Sequence, residues 1–526
     1  MDQLLSSNPT VDRPFRGIAG LAALLLVAGG ARADDTHYRA IPIGAHAIGL
    51  GGAFTGVADD ASAAYFNPAG LALGGNWGLA GGLSINAWER VELRGAYEQP
   101  EDGSASPTLQ QARTLPVFIG AVLKFGPKDA LEQKKFSLAL SVLEPIFSTG
   151  GVFVTLKTDP RALTDSYRAS ANDRATWYGL SFASRLDLRQ SIGASMYLTV
   201  RKLNHSENGI TLSSGTPVPG ESDVFIGVNS AANTQSLNFK AFHFVFRFGW
   251  LYRLKPQLQL GVMVQTPGIP IKQQVDTLSQ GFVNDAGDGS TPTITRAYFV
   301  DGRVNAKLPI PAEVEVGLEY WPAEKVMLSL DASIHLPVRS NARVSTAEPV
   351  PVGGLYFDGD TARRFIGNVA VAGDFSITQK VEMMAGFFTD LSSAMDVPEN
   401  PVRYHNPQIN RLGGTLSLGL NIAGVSLSVG STFLYGKGDS PGVLVDAGNL
   451  AVDYTRTEAT SRTVYLHITG ATQAASDLGD KSAEAIKRRL AEKKAQEEAE
   501  EAERKKREAE DSEQSGQPAD ADHDDG

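Results

Sequence analysis

Three arginines and four carboxylates define the chemistry that this sequence could do. Arg185, Arg201 and Arg247 sit in segments of alternating apolar and polar residues, each on the polar side of its segment. Glu313, Glu315, Glu319 and Asp331 occupy the same side of later segments. A guanidinium fork matches a carboxylate in geometry, so the arginines are candidate contacts for the carboxylate of a ligand. The same residues can equally brace a protein wall as internal ion pairs, and the sequence leaves both readings open. Enzyme signatures are missing: no G-x-S-x-G, H-E-x-x-H or phosphate-loop string occurs, and the eight histidines show no ligand spacing. Neither a catalytic site, a metal nor a cofactor is expected.

The segments that carry these residues are β-strands by their period. In Arg411 to Asn421, Leu412, Leu416, Leu418 and Leu420 share one face while Thr415, Ser417 and Gly419 share the other. In the segment 238–253, Phe242, Phe244, Phe246, Phe248, Trp250 and Tyr252 fall on one face, opposite His243 and Arg247. Such a row suits lipid, with aromatic residues at the interface. A soluble sandwich would show the same alternation, and the connections decide between the two. Tight turns at Arg189-Gln190, Lys255-Pro256, Pro322-Ala323, Thr378-Gln379 and Ala423-Gly424 alternate with long polar stretches at 205–237, 267–310, 337–362 and 437–460. Short turns on one side and long loops on the other are the pattern of an outer-membrane barrel. Thr295 to Leu308 also has strand character, but counting it breaks the parity, and it is assigned to an external loop.

Composition fits an exported protein. Cysteine is absent, which excludes a disulfide framework and a lipoprotein anchor, and the net charge of -11 argues against nucleic acid as a partner. Arg13 and Arg16 precede an apolar run, and Ala31-Arg32-Ala33 offers a cleavage site before Asp34, so residues 1–33 read as a signal peptide. Residues 34–77 are rich in glycine and alanine. Glycines 44, 49, 51, 52 and 56 allow positive φ and close backbone approach, which a segment folded inside a narrow lumen needs. Asp59 is expected to cap a short helix through Ala64, and Asn67-Pro68 to stop it.

The stretch Ile41 to Leu73, with Asp59, Asp60 and Ala61 followed by Asn67, Pro68 and Ala69, resembles the N-terminal hatch of the FadL/TodX-type outer-membrane channels for hydrophobic compounds. Ile310 to Tyr320 and Met384 to Asp390 are similar to later parts of the same family, and the resemblance spans residues 34 to 470. It implies an all-β fold, a membrane-spanning antiparallel β-barrel of about fourteen strands over 78–472, with the hatch over 34–77 plugging the lumen. Asp59, Asp60, Asn67, Pro68 and Ala69 are then the gate residues. The implied function is passive uptake of long-chain fatty acids or other hydrophobic small molecules across the outer membrane, where the protein contacts lipid. It also implies a kinked third strand with a lateral opening, for which Pro145 is the candidate. The alternative at that point is a strand ending at Glu144. The family pattern usually ends at an aromatic residue, and this chain departs from it. Residues 473–526 turn to charge blocks, with Lys481, Arg488, Arg489, Lys493 and Lys494 among Glu484, Glu492, Glu497 and Glu500. With few large apolar residues this tail reads as a solvated helix passing into disorder in the periplasm. A periplasmic partner or peptidoglycan is its implied contact, and a barrel serving as a secretion shuttle or scaffold, with the tail as docking arm, is the alternative function.

Overall fold

The fold follows from strands that expose their apolar face and bury their polar one. In the computed structural model of the protein, described for residues 36–39, 43–73, 77–94, 97–99, 103–105, 108–115, 118–128, 134–156, 162–217, 225–285, 294–304, 308–339, 359–401, 404–422, 425–446 and 451–473, fourteen antiparallel strands close into a barrel. They are β1 (Trp77–Arg94), β2 (Ile119–Lys128), β3 (Lys134–Leu156), β4 (Ala162–Arg185), β5 (Gln190–Pro217), β6 (Phe225–Lys255) and β7 (Leu258–Gln265). The circuit continues with β8 (Glu313–Ala323), β9 (Val326–His335), β10 (Ile366–Ser376), β11 (Val381–Asp390), β12 (Gln408–Ile422), β13 (Val425–Asp446) and β14 (Ala451–Gln473). Each pairs with its neighbour in sequence, and the ring closes where β1 meets β14, from Gly78↔Gln473 to Arg94↔Glu458. The expected signal peptide and the charged tail beyond Gln473 lie outside the described residues, as does the Ala423-Gly424 turn.

The burial pattern answers the question that alternation left open. On β12, Leu412, Leu416 and Leu418 are 49%, 55% and 52% exposed, while Ser417 is 1% exposed. A water-soluble sandwich would bury the leucines. Here they form an outer apolar surface and the hydroxyls point into the lumen, which is the arrangement a lipid environment selects. Among the described residues no helix is long and apolar enough to cross a membrane, and the strands do the crossing.

Three expectations about the connections change, one of them the stretch 437–460, where β13 and β14 stay paired out to Asp446↔Ala451. The stretch 205–237 is not a loop: β5 and β6, 28 and 31 residues long, stay paired out to Pro217↔Phe225. A membrane crossing takes about 9–11 residues, so more than half of this hairpin stands beyond the bilayer. Thr295 to Leu308, assigned to a loop, is largely strand as well: Ile294–Val304 pairs with Ile269–Asp285, which in turn pairs with the outer part of β6. The parity argument survives because none of these segments crosses the membrane. Polarity reports only that these residues do not face lipid, and it says nothing against a hydrogen-bonded ladder in water.

Inside the barrel, residues 43–73 fold into two single-turn helices, α1 (His46–Gly49) and α2 (Ala63–Phe66), and the 3-10 helix Pro68–Ala72. Gly44, Gly51 and Gly52 have φ of 89°, 58° and 79°, values that need glycine. Leu50, Phe54, Val57 and Leu71 pack with Ala139, Ala183, Leu251, Met327 and Met384 of the wall, so an apolar core lies between hatch and barrel.

Candidate functional site

Short, irregular chain inside a barrel leaves many backbone groups without partners from secondary structure, and these must be met from elsewhere. The wall meets them. Asp331 Oδ2 on β9 accepts the N–H groups of Phe54 (2.8 Å) and Thr55 (2.7 Å). Ser329 donates to Ala53 O and Gln259 to Gly56 O, each at 2.7 Å. Ser195 and Tyr197 on β5 both donate to Ala64 O at 2.7 Å. At the end of the 3-10 helix, Ser137 donates to Leu71 O (2.8 Å), and Lys124 (2.8 Å) and Arg185 (3.2 Å) converge on Ala72 O.

Asn67 stands at the centre of this attachment. Its extended backbone, φ -156° and ψ 99°, ends α2, and Pro68 opens the next turn. Its Oδ1 accepts from Ala69 N (3.2 Å), and its Nδ2 donates to Thr55 O (2.9 Å) and to Trp250 O of β6 (3.2 Å). The wall makes room by glycine. A Cβ on Gly249 would lie 2.1 Å from Asn67 Oδ1, one on Gly193 2.4 Å from Pro68 C and O, and one on Gly261 2.1 Å from Thr55 O. Ala69 is fully buried beside them.

The two neighbouring aspartates divide their work differently from expectation. Asp59 does not cap α2, whose first turn has no side-chain cap. Asp60 organises the turn instead, accepting from Ser62 N (2.7 Å) through Oδ1 and from His46 N (3.1 Å) through Oδ2. Asp59 reaches across the hatch to His46 Nδ1 (2.9 Å), whose Nε2 lies 3.5 Å from Asp374 of β10. Burial alone would lower the His46 pKa, and the carboxylates of Asp59 and Asp374 reverse this, leaving it raised well above 6.5.

All three arginines point inward and are buried, as their parity required, on the adjacent strands β4, β5 and β6, and each has partners of its own. Arg201 pairs with Asp173 through Nε (2.9 Å) and Nη2 (2.5 Å), and Arg185 holds the hatch terminus. Arg247 donates to Gln265 Oε1 (2.8 Å), to Glu313 Oε2 (2.9 Å) and to Tyr65 O of the hatch, with its guanidinium 3.8 Å above the Tyr65 ring. Of the inward carboxylates, Glu315 pairs with Arg39, and Glu319 accepts from Trp321 Nε1 at 2.7 Å. Around Arg247 lies a small cavity, of about 50 Å³. Tyr38, Tyr65, Phe66 and Phe388 line it together with Ile43, Ile48 and the pairs Arg247–Glu313 and Arg39–Glu315. His335 lines it too, stacked on Tyr38 with ring centres 4.0 Å apart. Sequence reasoning missed Arg39, Tyr65 and His335. For His335 a signal existed, since it shares the inward parity of Asp331 on β9.

At Pro145 the strand does not end. β3 continues to Leu156, and its pairing with β4 slips between Leu143↔Trp177 and Ile146↔Ala175, so Glu144 and Pro145 form a bulge. Pairing with β2 stops at Val142, and Thr108–Leu115 pairs with β1 alone among the described strands. Among the described residues no ladder joins β3 above the bulge to Thr108–Leu115, although the two segments still touch.

Neither a family model nor a curated protein matches the sequence. Solved structures do. The toluene transporter TodX of P. putida superposes with a TM-score of 0.51 at 11% identity, over 81% of this chain and 97% of that one. A Pseudomonas aeruginosa FadL homologue gives 0.48 at 13% identity over 85% and 100%, and the Ralstonia pickettii toluene transporter TbuX 0.48 at 14% over 83% and 99%. With its closed fourteen-stranded wall and internal hatch, this chain has the fold of the FadL/TodX-type outer-membrane channels for hydrophobic compounds.

Proposed function

We propose that the protein is an outer-membrane channel, and not an enzyme, through which hydrophobic small molecules, long-chain fatty acids among them, diffuse inward past a hatch that gates the lumen. The observation that carries this reading is the cavity between hatch and wall, whose aromatic lining comes from both: Tyr38, Tyr65 and Phe66 from the N-terminal segment, Phe388 from β11. A ligand lying there touches the gate and the barrel together, so its binding can act on the attachment. The side of β3 that has no ladder above the bulge among the described residues supports a lateral route through the wall. In this reading Arg247 braces the hatch. Its donors already serve Glu313, Gln265 and Tyr65, and a ligand carboxylate would have to compete with Glu313 for them.

The test replaces the latch: Asn67→Ala combined with Pro68→Gly frees the turn and leaves the strands intact. At equal amounts of folded, heat-modifiable barrel in the outer membrane, uptake of a labelled hydrophobe or leakage of small solutes should change markedly. Rates equal to the wild type would reduce Asn67 and Pro68 to a structural turn, and a protein found soluble in the periplasm would end the barrel reading altogether.

A further inference from the structure

The cavity is lined by one buried side chain with a nitrogen that no group among the described residues satisfies. His335 is 2% exposed, its Nε2 lies 3.3 Å from Glu313 Oε1, and its Nδ1 has no hydrogen-bond partner. In the neutral imidazole with its proton on Nε2 toward that carboxylate, Nδ1 is an acceptor without a donor. A buried acceptor without a donor is costly, and a site that contains one favours a ligand that brings the donor. Around it the charges cancel in pairs, Arg247 with Glu313 and Arg39 with Glu315, so no cation in the lining is left over for an anionic head group. The remaining surface is aromatic, from Tyr38, Tyr65, Phe66 and Phe388.

We propose that this cavity is a binding site for neutral hydrophobic molecules bearing a hydroxyl, alkylphenols and related alcohols, whose O–H donates to His335 Nδ1 while the aromatic residues hold the ring or chain. The inference rests on the channel reading and narrows its ligand class. Tyr38 fixes the imidazole plane by stacking and is itself held by Ser393, its hydroxyl 3.0 Å from that Oγ, so the acceptor is presented in a set orientation.

The experiment uses the full-length barrel in lipid nanodiscs and equilibrium dialysis against empty nanodiscs, with 4-octylphenol, its methyl ether, octylbenzene and decanoate as probes. Octylphenol should bind about tenfold tighter than the ether, the ratio one added hydrogen bond to a buried acceptor provides. His335→Phe keeps a ring against Tyr38 and removes the acceptor. It should bring phenol and ether to equal affinity. Equal affinities in the wild type overturn the proposal without any variant, and so does a preference that survives in His335→Phe. Decanoate binding tighter than the phenol overturns the neutral head group and favours capture by arginine. Failure of every probe to bind above empty nanodiscs overturns the channel reading itself, an outcome distinct from a lost phenol preference.

Discussion

Gly249→Ala should release the hatch by adding a single methyl group to the wall. The new Cβ would stand 2.1 Å from Asn67 Oδ1 and 2.8 Å from Ala69 N, so the amide must retreat by about 0.9 Å to reach the 3.0 Å that real Cβ contacts observe. That shift breaks the Nδ2 bond to Trp250 O, already 3.2 Å long, and the cap from Ala69 N. Two net hydrogen bonds at about 1 kcal/mol each amount to about 2 kcal/mol, or roughly a 30-fold rise in the population with the hatch detached at this point. The assay is the initial rate at which a small polar solute leaves liposomes containing equal amounts of heat-modifiable barrel. Gly193→Ala should act alike, since its Cβ meets Pro68 C and O at 2.4 Å. Gly209→Ala is the control, because nothing lies within 4 Å of the added atom. A Gly249→Ala barrel that folds and leaks no faster than the Gly209→Ala one would refute the idea that wall glycines exist to seat the hatch.

Two further outcomes follow from the same geometry. Pro145→Val returns an N–H and a strand-forming side chain to the bulge of β3, and should slow hydrophobe uptake severalfold while small-solute leakage stays the same; unchanged uptake would separate the bulge from the route. His46 bridges Asp59 and Asp374 only when protonated, and its pKa is raised, so the bridge is complete below about 6.5 and is lost as pH rises through the higher folded value. Leakage should therefore increase on the alkaline side in the wild type and show no such step in His46→Gln, a comparison that one pH series of liposome efflux settles.

Strand number, inside–outside parity and the position of the hatch were legible in the sequence because each is a local property. Period two places Arg247 inward whatever it binds, and Asn67-Pro68 interrupts a helix wherever the hatch lies. Partners were not legible: Arg247 meets Tyr65 O across 182 positions and Asp331 meets Thr55 N across 276, separations that no local pattern encodes. The outer hairpins were misread for a different reason, since the amphipathic signal disappears once a strand leaves the bilayer and both of its faces meet water. One long-range clue was present. Gly193, Gly249, Gly261, Gly317 and Gly386 all lie on inward parity, and a wall strand with no side chain at an inward position marks where another backbone comes close.

The attachments are unevenly distributed along the hatch. From Ala53 to Ala72, carbonyls receive wall donors at 2.7–2.8 Å from Ser329, Gln259, Ser195, Tyr197, Ser137 and Lys124, and the wall glycines bring backbone against backbone. Between Ile43 and Gly52 the wall contacts are longer, with Thr415 reaching Ile48 O at 3.2 Å and Thr469 reaching Ala45 O at 3.4 Å, whereas the preceding Thr36–Arg39 is again held closely, His37 Nε2 lying 2.6 Å from Ile409 O. The stretch 43–52 also carries the left-handed glycines 44, 51 and 52, where the backbone has the widest choice of conformations. Ile43, Ala47, Ile48, Gly51 and Gly52 line the cavity, so the more loosely held stretch is the one that borders it. Displacing the whole hatch would break the wall bonds to Ala53 O, Gly56 O, Ala64 O, Leu71 O and Ala72 O, each worth about 0.5–1.5 kcal/mol net, whereas a rearrangement confined to residues 43–52 leaves them in place.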